Sequence, residues 1–202
     1  MKTHLRLVAL AIIGISVMSA TLVTNPASAQ AAAEPEDPSF VMTVFPIDTV
    51  AVNFWDSWGA RRSGGRRHQG TDIMSPRGTP ILAVSDGTVE EFGTHRLSGY
   101  FVRLDHGNGT KTTYMHLNND LPGTDDGEGG SWTAFYPTLT EGQEVAAGQI
   151  IGYVGDSGNA EGTQPHVHFE LRLDGEKTNP FPYLKDVWDR EMRLTTDGVG
   201  PH

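Results

Sequence analysis

The sequence predicts a mainly β fold: an antiparallel β-sheet core with long loops and little helix. Three observations predict it. Short runs rich in β-branched and aromatic residues recur along the chain, 24 glycines and 12 prolines punctuate its 202 residues, and no stretch inside the expected domain shows a long helical period.

The strands follow in order. Residues 80–84 and 88–92 flank the turn Asp86-Gly87 and read as one hairpin; residues 100–105 and 110–117 flank Gly107-Asn108-Gly109 and read as a second. Residues 143–146 and 149–154 lie on either side of Ala147-Gly148, and a last strand over 165–173 is closed by Asp174-Gly175. A short C-terminal helix is expected near 187–193. Residues 118–142 interrupt the pattern with Asp, Gly and Pro around Trp132, Phe135 and Tyr136. Loops of this length are commonly functional or disordered, and this one directly follows His116, so it reads either as a wall or lid of a cleft or as a mobile surface excursion.

The ends read differently. Residues 1–29 have the pattern of a secretory signal: Lys2 and Arg6 at the start, an uncharged run over 7–23, and Ala27-Ser28-Ala29 as a small-residue cleavage site. The competing reading is an uncleaved anchor, although Gly14, Ser16, Ser19 and Thr21 dilute the apolar run. Residues 30–44 are expected to be a linker, rich in alanine, proline and acid up to about Phe40, followed by a domain over 45–182 and a C-terminal tail over 183–202.

Cysteine is absent, so no disulfide holds the fold. The formal charge is -10, and losing Lys2 and Arg6 with a signal would make it -12. That balance opposes nucleic acid and anionic membrane as partners. An exported monomer, extracellular or periplasmic, with no stable membrane span after signal cleavage, is the expectation. One basic cluster stands apart: Arg61, Arg62, Arg66 and Arg67 surround Ser63-Gly64-Gly65 and run into His68. It reads either as a solvated loop or as a holder of a substrate carboxylate or phosphate.

The chemistry lies in the histidines. In a strand side chains alternate, so His166, His168, Glu170 and Arg172 share one face while Val167, Phe169, Leu171 and Leu173 share the other. The apolar face belongs in a core and the histidine face in a cleft. Upstream, His68-Gln69-Gly70-Thr71-Asp72 offers a second pair of donors, on a loop leading into a strand because of Gly70. Two imidazoles and a carboxylate suit zinc with one position left for water, whose pKa falls toward ~7. His-Glu-x-x-His is missing, so another group must move protons. His116 ends a strand in which it alternates with Met115 and Leu117, and it can reach the same cleft. One histidine of the 166/168 pair suffices for metal; the other, with His116, is then free to orient water or stabilise an oxyanion, a division that spacing leaves open. His106 reads as a turn residue and His95 as surface.

The stretches RRHQGTDIMSPRGTPILAVSDGTV, YFVRLDHGNGTKTTYMHL, VAAGQIIGYVGDSGN and PHVHFELR, with Asn179-Pro180 beyond them, resemble the lysostaphin-like or LytM-type zinc metallopeptidases over about residues 45–182. The resemblance implies a narrow groove on a β-sheet core, one zinc held by His68, Asp72 and His168, and catalytic roles for His116 and His166. It implies an endopeptidase acting on peptidoglycan, at a cross-bridge or a stem peptide. The alternatives are a non-catalytic LytM-type activator of wall amidases, which the intact donor set opposes, and a zinc peptidase for another glycine-rich exported substrate. Two departures stand out: the segment between His116 and Val145 is long for the family, and residues 45–68 hold no tyrosine where some members carry one before the first metal histidine.

Overall fold

The computed structural model describes residues 40–196. The expected signal and cleavage site lie outside the described residues. In chain order the elements are β1 (Asn53–Phe54), β2 (Thr71–Met74), β3 (Pro80–Leu82), β4 (Gly87–His95), β5 (Gly99–Asp105), β6 (Lys111–Leu117), α1 (Ser131–Ala134), β7 (Glu144–Val145), β8 (Ile150–Tyr153), β9 (His166–Leu173), β10 (Glu176–Thr178) and α2 (Phe181–Thr196). The main sheet runs β1-β2-β9-β6-β5-β4-β7, with β10 beside β9, and β3 pairs with β8 in a second, two-stranded sheet. Every pairing is antiparallel.

Strand β9 sits in the middle of the site and shows why the sequence folds this way. Val167, Phe169 and Leu171 are fully buried, and Phe169 packs edge-on to Tyr114 of β6 with ring centres 5.2 Å apart. Each such apolar side chain stabilises the fold by about 1.5–3 kcal/mol when removed from water. Tyr114 is buried whole; its hydroxyl accepts from the Val84 amide at 3.1 Å, and burial pushes its pKa up to about 12. The opposite face of β9 carries His166, His168 and Glu170.

The hairpin read at 107–109 forms: β5 and β6 pair, and Gly107, Asn108 and Gly109 all take positive φ, the conformation that this turn sequence favours. The hairpin read across Asp86-Gly87 does not. β3 pairs with β8 and β4 with β5, because Ile81, Ala83, Val84 and Ile151 all lose their entire exposure in the shared core. Asp86 instead makes a corner, its carboxylate accepting from the Ala147 amide at 2.8 Å and its carbonyl accepting from His106 Nδ1 at 2.7 Å. Likewise β7 and β8 separate, to β4 and β3 respectively.

Packing extends past both expected edges of the domain. Phe40 and Met42, within the stretch read as linker, are buried in the core. So are Leu184 and Val187 of α2, within the stretch read as a tail. The helix is longer than the one expected over 187–193: Asn179 Oδ1 accepts from the Phe181 amide at 3.0 Å to cap it, and Pro182 sits in the first turn, where an amide has no helical partner. It is tied to the N-terminal segment by Glu191 Oε1 accepting from the Phe45 amide at 2.7 Å and by a tilted contact of the Trp188 and Phe45 rings, centres 4.8 Å apart.

The long loop is neither wall nor lid of the groove. None of its residues lines it. Phe135 is drawn away instead onto Phe92 of β4 and Tyr100 of β5, at 4.9 and 5.5 Å. Asp120 and Asp125 converge with Asp156, from the β8–β9 connection, on the guanidinium of Arg77, from the β2–β3 connection; Asp156 lies 2.7 Å away and Asp125 2.8 Å away. Hydrogen bonding to Asp156 raises the Arg77 pKa against the opposing effect of burial. Three carboxylates in one place resemble a cation site, but Arg77 already supplies the positive charge. Since the side chains of Asp120 and Asp156 are fully buried, Arg77→Ala leaves buried charges unpaired and is expected to cost about 3–5 kcal/mol. Urea denaturation checks this; a loss below about 1 kcal/mol would mean that the network is not what holds the loop.

Candidate functional site

A groove enclosing about 730 Å³ runs over the face of β2, β9 and β6. Asp72, Met74, Met115, His116, His166, His168 and Glu170 form its floor; Arg62, Arg66, Arg67 and Gln69 stand along one side, and Leu97, Ser98 and the 159–164 segment border it elsewhere. Strand register assembles the floor. Asp72 lies directly opposite His168 in the β2–β9 ladder, and Met115 opposite His168 in the β6–β9 ladder. Gly70 lets the His68 segment come close, because a Cβ there would sit 2.4 Å from the Phe169 carbonyl oxygen and 2.7 Å from His168 Nε2.

His68 Nε2, Asp72 Oδ1 and His168 Nδ1 meet in a triangle with edges of 3.0, 2.8 and 2.9 Å. Their outward atoms are committed elsewhere. His68 Nδ1 donates to Ser57, whose carbonyl lies 3.0 Å and whose hydroxyl oxygen 2.9 Å away, and His168 Nε2 faces Glu170 Oε1 at 3.4 Å, itself held by Lys177 at 3.0 Å. A carbonyl only accepts, so the His68 proton sits on Nδ1 and its Nε2 lone pair faces the triangle; Glu170 favours the matching tautomer of His168. Three lone-pair atoms facing one another are stable only around a shared cation or proton. Tetrahedral zinc with bonds of about 2.0–2.1 Å needs edges of about 3.3 Å, close to those present, so the donor set fits the metal. Burial opposes ionisation of Asp72, but hydrogen bonds to His168 and His68 outweigh it and hold the carboxyl far below its ordinary range. Arg62 pairs with the other oxygen of Asp72. Burial likewise opposes charge on His168, yet Asp72 and Glu170 raise its pKa, which again marks the triangle as a place that attracts positive charge.

His116 and His166 complete the floor with ring centres 5.1 Å apart; His116 lies 6.0 Å from His168. Both are oriented from behind, His116 Nδ1 donating to the Ser157 carbonyl at 2.9 Å and His166 Nδ1 to the Gln164 carbonyl at 2.8 Å. Each therefore keeps an Nε2 lone pair. Burial, and next the nearby His166 and His168, lower the His116 pKa to about 4, so it is neutral at neutral pH.

The route by which His116 reaches the groove differs from simple alternation. Alternation puts it on the face of Tyr114, which is the core. The β5–β6 register slips between Tyr100 and Phe101, and His116 takes φ 64, a left-handed conformation that costs a non-glycine residue on the order of 1–3 kcal/mol. That bulge turns the ring through to the groove.

The structure thus brings all five expected residues, His68, Asp72, His116, His166 and His168, to one groove. His106 lies apart, bonded to Asp86 and to Thr112 Oγ1 at 2.8 Å, while exposed His95 borders the groove. Sequence reasoning missed the Ser57, Ser157 and Gln164 carbonyls, for which no side-chain pattern exists. Glu170 as a partner of His168 was readable, being two residues on along the same face. No tyrosine of the long loop lines the groove, whereas Arg62 and Arg66 do.

Residues 66–180, more than half of the chain, match Peptidase family M23. The chain belongs to that family. Among the relatives of this M23 chain, the L-Ala--D-Glu endopeptidase of Bacillus subtilis is 34% identical over 156 residues, covering 72% of this chain and 43% of the relative. The catalytic domain of the antimicrobial peptidase lysostaphin from Staphylococcus simulans superposes with a TM-score of 0.52 at 28% identity, over 66% of this chain and 92% of that one. A zinc-containing peptidase from Vibrio cholerae superposes with a TM-score of 0.53 at 26% identity, over 69% and 39%. The first curated relatives are longer proteins, of which the chain spans 22% to 43%. The antiparallel β architecture is that of the lysostaphin-type M23 catalytic domain.

Proposed function

We propose that this M23 chain is an exported zinc metalloendopeptidase that hydrolyses peptide bonds in bacterial peptidoglycan. One zinc is held by His68, Asp72 and His168, and His116 and His166 are the catalytic groups. The observation that carries this reading is the triangle of inward lone pairs whose other ring positions are tied outward, beside two further imidazoles with free Nε2 atoms. The family and its relatives named peptidoglycan DD-endopeptidases in Vibrio cholerae point to the substrate.

Bound zinc supplies a Lewis acid for the scissile carbonyl and lowers the pKa of a water toward ~7. The chain's residues handle the protons. With its Nδ1 proton fixed on a carbonyl, neutral His116 can only accept at Nε2; once it has taken a proton from the attacking water, it becomes a donor to the developing oxyanion or the leaving amine, and His166 presents its own Nε2 beside it.

The test pairs zinc content of the purified protein with release of new amino groups from peptidoglycan. About one zinc per chain and release abolished by a chelator are expected. Bound zinc with no release from walls would remove the substrate assignment, and absence of zinc would remove the ligand set.

A further inference from the structure

We propose that the arginines on one side of the groove form an anion subsite for a carboxylate of the peptide substrate, so that the enzyme selects acidic stem peptides over a neutral glycine bridge. This rests on the groove being a peptidase active site.

The arginines belong to a small, shaped loop. Its ends pair through the Gly59 amide donating to the His68 carbonyl at 2.9 Å and the His68 amide donating to the Ala60 carbonyl at 2.8 Å. Arg61 bridges to Arg67, the Arg62 amide donates to the Arg66 carbonyl at 3.0 Å, and Gly64 and Gly65 make the tip with φ 71 and 74. Because this loop runs directly into His68, its main chain is placed relative to the candidate zinc site by backbone bonds.

Arg62, Arg66 and Arg67 border the groove, yet only Arg62 has a carboxylate partner, Asp72. Arg66 bonds the Ser63 carbonyl at 3.2 Å and Ser63 Oγ at 3.4 Å; Arg67 bonds the Gly59 carbonyl at 3.1 Å. Among the described residues neither has an ion pair. The acids bordering the groove are already engaged, Asp72 with both histidines and Arg62, and Glu170 with Lys177 and His168. In a chain of net charge -10, two unneutralised arginines stand at the groove edge although acids are plentiful elsewhere. Crowding like charges costs free energy that an anion would offset, and the guanidinium fork matches a carboxylate in two parallel hydrogen bonds. A glycine bridge offers no such group, whereas a stem peptide carrying D-glutamate does.

The experiment compares a stem peptide containing L-Ala-γ-D-Glu with a free α-carboxylate and the same peptide amidated there. Hydrolysis is measured on the zinc-loaded protein, and binding to the same protein by calorimetry at low and high salt. With two exposed guanidinium groups facing one carboxylate, kcat/KM and affinity are expected to favour the free acid by about three- to tenfold, with the preference shrinking at high salt. The double variant Arg66→Gln/Arg67→Gln is expected to keep its zinc and bring the free-acid to amide ratio near one. Equal handling of the two peptides by the parent, or an unchanged ratio in the double variant, overturns the subsite. If the parent cleaves neither peptide, selection of acidic stem peptides as substrates is overturned, whereas the peptidase reading stands or falls with release of amino groups from peptidoglycan, and the binding ratio still decides whether the arginines take a carboxylate.

Discussion

Replacing His168 by alanine is expected to abolish zinc binding and peptide hydrolysis together. His168 Nδ1 closes the triangle with Asp72 Oδ1 at 2.8 Å and His68 Nε2 at 2.9 Å, and the variant leaves two donors where tetrahedral zinc takes three from protein. The fold should survive, because the apolar face of β9, with Val167, Phe169 and Leu171, is untouched. Removing one of three converging lone pairs also relieves repulsion in the metal-free chain. Atomic absorption, circular dichroism and wall hydrolysis check the three statements. A folded His168→Ala protein that retains one tightly held zinc would overturn the ligand assignment.

His116→Ala is expected to separate what His168→Ala removes together. Zinc should remain, since His116 lies outside the triangle, while kcat falls by about 10²–10⁴-fold, the range for loss of a positioned acid–base group. The backbone adds a second readout. At φ 64 alanine is nearly as strained as histidine, whereas glycine is not, so His116→Gly should be equally inactive but more stable than His116→Ala by about 1 kcal/mol. Full hydrolysis by His116→Ala at saturating zinc would falsify the role given to this residue, and equal stability of the two variants would deny the strain.

Much of the site was legible because it is periodic. The alternation of β9 sets His166, His168 and Glu170 against Val167, Phe169 and Leu171, and the His68 to Asp72 spacing carries two donors into β2, without reference to the rest of the molecule. The Gly107-Asn108-Gly109 turn was legible for the same reason, since positive φ at three adjacent residues is a local preference. Resemblance of four stretches to a known family then divided the histidines into ligands and proton carriers, which spacing could not.

What sequence by itself determined is therefore the face each strand residue takes, the local turn, and the inventory of metal donors: properties of residues within a few positions of one another. Tertiary structure decided the rest. It chose β8 as the partner of β3 because their apolar side chains share one core; it extended that core to Phe40 and Met42 at one end and to Leu184 and Val187 at the other; and it set Asp120 and Asp156 on Arg77, turning the long loop away from the groove. It also placed a bulge under His116, against the alternation that points the ring at Tyr114. Burial and charge pairing act between residues far apart in the chain, and they outweigh local preferences worth about 1 kcal/mol or less.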